Sequence, residues 1–176
     1  MNDRRILIFV GDDYEDLEVQ YPRLRLLEAG FVVTLAGPAA NAVYRGKHGY
    51  PQKSDVAIAD VDPDRFDGLV VPGGWLPDKL RRDERVLAIT RAIHSAGKLV
   101  ASICHGPQID ISARIVEGYR YTSSPAIKDD LVNAGAQWSD EPVVRDRNRV
   151  SSRRPDDLPD FLRGILGFFA EQPRHS

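Results

Sequence analysis

Apolar residues run without interruption from Ile6 to Val10, the pattern of a strand covered on both faces. Gly11-Asp12-Asp13 ends the run and offers an acidic cap for a helix along which Leu17, Tyr21, Leu24 and Leu27 recur at helical spacing. Gly30 stands where glycine closes a helix, and Phe31 to Ala36 reads as a second buried strand. Strand, helix and strand within about 30 residues make a βαβ unit, the building block of a parallel sheet.

Residues 38–55 carry scattered glycines and polar groups and predict loop with short strands. Order returns with the strand Phe66 to Val71, ended by Pro72-Gly73-Gly74. A helix follows over 83–96, with Val86, Ile89 and Ile93 on one face and Gly97 closing it. Leu99 to Ile103 is another buried strand with Cys104 at its end, and a further helix starts near Pro107. Val143-Val144 and Val150-Ser151 flank Asp146-Arg147-Asn148, which predicts a hairpin. Asp156-Asp157 caps a last amphipathic helix carrying Phe161, Leu162, Ile165, Leu166 and Phe169, and 172–176 should fray. The alternation predicts a three-layer α/β sandwich with a mostly parallel sheet, one domain over 1–176.

Composition narrows the function classes. With 42% hydrophobic and 28% charged residues the chain reads as an ordinary globular protein. A net charge of −2, with acids breaking up the short basic runs, excludes a dedicated nucleic-acid binder. The single cysteine rules out an intramolecular disulfide and a thiolate metal cage. The first apolar run is too short for a signal-peptide core, and no segment approaches the ~20 apolar residues that span a bilayer. A cytoplasmic protein with no membrane partner is expected.

Ligands of open parallel sheets bind beyond the carboxyl ends of the strands. Three such ends carry unusual residues: Asp12-Asp13-Tyr14-Glu15, Pro72-Gly73-Gly74 and Cys104-His105-Gly106-Pro107. Cys104 is the candidate nucleophile. A lone cysteine is usually a small buried hydrophobe, but a polar pair followed by Gly-Pro at a strand end makes poor core and a good strand-to-helix elbow. Such a turn aims backbone N–H groups at the sulfur and favours thiolate. His105 is the candidate base, or the donor of a backbone N–H to an oxyanion. Glu15 is either an acid–base group beside the thiol or, with Asp16 and Glu18, a complement to a helix N-terminus. Gly73 and Gly74 offer further backbone donors. No two of His48, His94 and His175 have metal-ligand spacing, and there is no Walker or G-x-G-x-x-G loop, so neither a metal nor a cofactor is expected.

Val100-Ala101-Ser102-Ile103-Cys104-His105-Gly106-Pro107-Gln108 resembles the nucleophile segment of the ThiJ/PfpI family, in its PfpI-type (peptidase C56) branch. Tyr14-Glu15-Asp16, Gly46-Lys47-His48-Gly49-Tyr50, Val71-Pro72-Gly73-Gly74, Ser124 to Asp130, Asn133-Ala134-Gly135 and Ser151-Ser152-Arg153 match in family order. The resemblance implies a flavodoxin-like sandwich related to class I glutamine amidotransferase domains, assembled as a homodimer or homohexamer. It assigns the nucleophile to Cys104, the flanking histidine to His105 and the thiol-contacting glutamate to Glu15. It also implies an acidic residue lent by a neighbouring subunit, here Asp78, one methylene shorter than the usual glutamate. Trp75 stands where a basic residue is common and Ser124 where tyrosine is, which reshapes the pocket mouth. Asp110 and Arg114 stand where apolar or small residues are expected.

The family's enzymes share addition of sulfur to an electrophilic carbon. The leading expectation is therefore stress-protective chemistry on a small reactive dicarbonyl or its glycation adducts, glyoxalase or deglycase in type. Intracellular peptide hydrolysis is the alternative, and a redox-sensing stress protein with an oxidisable Cys104 is the non-enzymatic one. An amidotransferase is disfavoured, since no histidine has glutamate two residues on.

Overall fold

In the computed structural model, which describes residues 3–172, the chain forms eleven strands and six α-helices. They follow as β1 (Arg5–Phe9), α1 (Asp16–Glu28), β2 (Val32–Gly37), β3 (Val43–Arg45), β4 (Pro51–Lys53), β5 (Val56–Ala57) and β6 (Gly68–Val71). Next come α2 (Leu76–Leu80), α3 (Glu84–Ser95), β7 (Leu99–Ile103), α4 (Pro107–Ser112), β8 (Arg120–Tyr121) and α5 (Lys128–Asn133). The chain continues through β9 (Gln137–Trp138), β10 (Val143–Asp146), β11 (Arg149–Ser152) and α6 (Leu158–Glu171). Of the tail expected to fray, 173–176 lies outside the described residues.

Seven strands form the central sheet in the order β10-β11-β7-β6-β1-β2-β5, parallel except for the β10–β11 hairpin. Strands β1, β6 and β7 occupy its middle, and Ile6 to Phe9, Leu69 to Val71 and Leu99 to Ile103 are at most 1% exposed. Burying each large apolar side chain of this kind stabilises by about 1.5–3 kcal/mol. Helices α1 and α6 pack together on one face, and α2, α3 and α4 pack on the other. The three layers are those the alternation predicts. Between β1 and β6 the strand order reverses, so β1 turns away to β2 while β6 leads to β7. A crevice opens at such a reversal, outside the carboxyl ends of the strands.

Three local expectations need correction. The apolar stripe of α1 faces outward: Leu17, Tyr21, Leu24 and Leu27 are 38–57% exposed, while Asp16, Glu18, Val19, Pro22 and Leu26 are buried. The cap of α1 is not Asp12 or Asp13 but Glu15, whose carboxylate accepts the Glu18 amide at 3.0 Å. Asp12 accepts the Arg45 amide, and Asp13 adopts a left-handed turn (φ 66°) with an ion pair to Lys79. Asp157, likewise, makes no capping bond to α6 and pairs instead with Arg153. No described helix is long and apolar enough to cross a membrane.

Candidate active site

Cys104 directly follows β7 in a left-handed backbone conformation, φ 62°, which costs a non-glycine residue of order 1–3 kcal/mol. Its neighbours hold it there. The Cys104 amide donates to the Ser152 carbonyl of β11 at 3.0 Å, and its carbonyl accepts the Ser124 amide at 3.0 Å. Gly106 permits the turn, since a Cβ there would lie 2.5 Å from the Val71 carbonyl oxygen and 2.8 Å from that of Ile103. The sequence Cys-His-Gly-Pro thus folds as a strand-to-helix elbow, with the sulfur displayed at the crevice.

The loop after β6 closes against this elbow. A Cβ on Gly73 would lie 2.6 Å from the Glu18 carboxylate and 2.7 Å from the Cys104 Cβ, so the glycine brings backbone, carboxyl and thiol together. Gly74 (φ 77°) bridges Tyr14, with no room for a side chain against the Asp13–Glu15 backbone. The two amides do different work. Gly73 donates its N–H to Glu18 at 2.7 Å, so it is not a free oxyanion donor, whereas the N–H groups of Gly74 and His105 point at the Cys104 sulfur.

The carboxyl beside the thiol belongs to Glu18, not to Glu15 as the resemblance implied. Glu18 is fully buried, and its Oε1 has no hydrogen-bond partner of ordinary geometry, leaving the weak donor Cys104 as its polar neighbour. Glu15 stands behind it, capping α1 and adding negative charge. Burial, then the charge of Glu15, pushes the Glu18 carboxyl up to about 8. Burial, then the charge of Glu18, pushes the Cys104 thiol up to about 12, more than the N–H groups of Gly74 and His105 bring it down. The expected standing thiolate is therefore replaced by a protonated pair whose first proton leaves near pH 8, and each loss makes the second harder.

His105 touches the thiol directly, its Nδ1 lying 3.3 Å from the Cys104 sulfur. Burial and then the nearby Lys47 ammonium hold the imidazole below its ordinary value, so the ring is neutral at pH 7. In the sequence Lys47 stands out only as part of a motif, yet its charge lowers Glu18, Cys104 and His105 alike. It is brought there by the β3–β4 loop, which is fastened to Asp16: the carboxylate oxygens accept the His48 and Tyr50 amides at 2.9 Å each. Gly46 leaves room for that fastening, because a Cβ would strike the Asp16 carboxylate at 2.4 Å. The Gly46-Lys47-His48-Gly49-Tyr50 motif is thereby a loop clamp that keeps a cation within electrostatic reach of Cys104.

The remaining candidates lie outside this cluster. Asp78, in the first turn of α2, is half-exposed and ion-paired with Arg82 of its own chain. Trp75 is 67% exposed and donates its amide to the Asp13 carbonyl. Ser124 borders the elbow through its backbone, its hydroxyl accepting the Ala126 amide. Among the described residues, Glu15, Asp16 and His48 are the one group whose donor atoms could gather round a metal ion. Backbone amides already occupy both Asp16 oxygens and one oxygen of Glu15, which identifies the trio as loop fastening.

The model of the DJ-1/PfpI family matches residues 4–167. A deglycase from Pyrococcus abyssi is 50% identical over 162 residues, covering 92% of this chain and 97% of the relative. The deglycase PfpI of Pyrococcus furiosus is 46% identical over the same length and the same shares. The crystal structure of DJ-1beta from Drosophila melanogaster superposes with a TM-score of 0.90 at 28% identity, over 97% of this chain and 92% of that one. With the family model matched over most of its length and relatives up to 50% identical along nearly their whole chains, the chain belongs to the DJ-1/PfpI family.

Proposed function

We propose that the chain is a cysteine enzyme that converts small reactive dicarbonyls, or the early glycation adducts they form, into hydroxy acids without a cofactor. One observation carries this reading: the buried Glu18 carboxyl, raised to about 8, lies against the Cys104 thiol. An acid–base group near neutrality can both take and return a proton. With methylglyoxal, in molecules whose Glu18 has released its proton, the sulfur adds to the aldehyde carbon while the thiol proton passes to the Glu18 carboxylate or to neutral His105. The new C–S bond forms as the carbonyl π pair becomes an alkoxide, received by the N–H groups of Gly74 and His105 and then protonated. Glu18 next carries the proton from that carbon to its neighbour, through an enediol, leaving a thioester of the 2-hydroxy acid. Water cleaves the thioester, giving lactate and the thiol. The sequence is redox-neutral overall and needs no further reactant.

The names of the two archaeal relatives support the deglycase arm. The 3.3 Å contact between His105 and Cys104 favours one second reading, peptide hydrolysis with His105 as base. Asp78 is half-exposed and pairs with Arg82 rather than with His105 of its own chain, and α1 bears an exposed apolar stripe, which supports self-association with Asp78 reaching a neighbour's histidine. A single free thiol suits a reducing, cytoplasmic setting. The test is lactate formation from methylglyoxal without glutathione, run beside fluorogenic peptides. Lactate formation with inert peptides supports the proposal, and peptide turnover alone moves the assignment to the second reading.

A further inference from the structure

Asp110 lies wholly buried on α4, six residues beyond the nucleophile, in a position where an apolar side chain would fit the core. Its Oδ2 accepts the Ser102 hydroxyl at 2.7 Å and the Tyr121 hydroxyl at 3.2 Å. Ser102 belongs to β7 and Tyr121 to β8, so one carboxylate ties the helix after the elbow to the strand before it and to a third element. The counter-charge is Arg149 of β11, 1% exposed. Register explains why they meet: Ser151 pairs with Ser102 and Arg149 with Val100, so Arg149 and Ser102 share a face of the sheet. Arg149 is steadied by the neutral ring of His94, whose Nδ1 accepts its Nη2, and by the Ile115 carbonyl at 3.2 Å.

The arrangement is expensive. Asp110 Oδ1 and Arg149 Nε and Nη1 are buried with no hydrogen-bond partner, and a well-packed apolar pair of similar volume often serves stability better than buried charges. Stability alone therefore does not account for it. Its placement does: Ser102 is two residues before the left-handed Cys104, and α4, only six residues long, begins three residues after it. A strained turn persists only when its surroundings over-determine it.

We propose that Asp110, charge-balanced by Arg149, is a positioning residue that acts through Ser102 to lock the Cys104 elbow in the geometry that keeps the Gly74 and His105 N–H groups on the sulfur. The reacting groups invoked are those of the function proposed above, but the lock is read on the thiol itself as well as on turnover. Four variants separate the possibilities: Ser102→Ala, Asp110→Asn, Asp110→Leu, and Asp110→Leu combined with Arg149→Met. For each, kcat and KM with methylglyoxal, the iodoacetamide alkylation rate of Cys104 at fixed pH, and Tm are measured.

Misplacing a reacting group by about 1 Å can cost up to ~100-fold in rate. Ser102→Ala and the double variant should therefore lose roughly ten- to hundredfold in kcat with KM little changed, and alkylate at least several-fold more slowly. Asp110→Asn, which keeps an oxygen for Ser102, should retain most of both rates. Asp110→Leu alone should lose stability through the stranded Arg149, and the double variant should regain Tm without regaining kcat. A double variant that regains wild-type Tm, kcat and alkylation rate together would overturn the proposal, as would an Asp110→Asn variant as impaired as the double. If the wild type makes no lactate, the dicarbonyl reading fails while the alkylation comparison still decides the lock.

Discussion

Replacing Glu18 by glutamine changes one atom and removes one proton site, and its consequences can be worked from the geometry. The folded protein holds the Glu18 proton up to about pH 8, whereas an ordinary carboxyl releases it near 4.5. Between those values the native state binds a proton that the unfolded chain has lost, so this group makes stability fall as pH rises from about 4.5 to 8. Below 4.5 both states are protonated and nothing is lost. At about 1.4 kcal/mol per tenfold, the full difference between about 8 and 4.5 is on the order of 5 kcal/mol. Glutamine keeps an oxygen for the Gly73 amide and carries no charge, so it avoids the loss. For a chain of this length about 2–4 °C of Tm accompany each kcal/mol. Glu18→Gln should thus match the wild type near pH 4.5 and exceed it by roughly 10 °C at pH 8. Above about pH 8 its amide also places a donor where the wild type has an anion beside the thiol, so there Cys104 should alkylate faster, while lactate formation stops at every pH. Thermal scans from pH 4.5 to 8, iodoacetamide kinetics and a lactate assay check the three statements. A Tm gap that does not grow with pH, or turnover that survives, would refute the reasoning about this carboxyl.

Other consequences follow from the same site. Gly73→Ala places a Cβ 2.6 Å from the Glu18 carboxylate and 2.7 Å from the Cys104 Cβ; with backbone and buried groups unable to give way, kcat should fall at least tenfold while the fold survives, as circular dichroism would show. Lys47→Ala removes a charge that lowers Glu18, Cys104 and His105; the acid limb of the pH–rate profile should move upward by a few tenths, the ammonium being exposed to solvent screening. Asp78→Ala should leave Tm within about 1 °C, because its exposed pair with Arg82 contributes little. If Asp78 completes a neighbour's site, the same change lowers activity only in the oligomer, which light scattering and dilution assays would reveal.

The parts of the site that were legible in the sequence are those written contiguously. Cys104-His105-Gly106-Pro107 sits at the end of a five-residue buried strand, and a strand-to-helix elbow follows from that alone. Glu18 was missed because three acids open α1 and only the phase of the helix selects among them. The outward apolar stripe of Leu17, Tyr21 and Leu24 suggests one phase, whereas the buried side is Glu18, Pro22 and Leu26 at a four-residue interval. The signal that could have found it is the Glu15-x-x-Glu18 spacing of a capping motif, which starts the helix at Asp16 and turns Glu18 inward. The strand-rich core was readable because β1, β6 and β7 are buried on both faces and so carry continuous apolar runs. Asp110 had no visible reason, since its counter-charge Arg149 stands far along the chain on a strand that β7 meets only in the folded sheet. Likewise Lys47 comes near Cys104 through the folded β3–β4 loop, held by Asp16 and by the Lys47 amide's bond to the Tyr14 carbonyl.

The central claim is that Cys104 and Glu18 together turn a dicarbonyl into a hydroxy acid. It is tested most directly by lactate formation from methylglyoxal, without glutathione, by the wild type, Cys104→Ala and Glu18→Gln. The account predicts turnover by the wild type, none by Cys104→Ala, and none by Glu18→Gln even though its thiol still alkylates. Lactate formed by either variant at the wild-type rate, or by none of the three proteins, would contradict it.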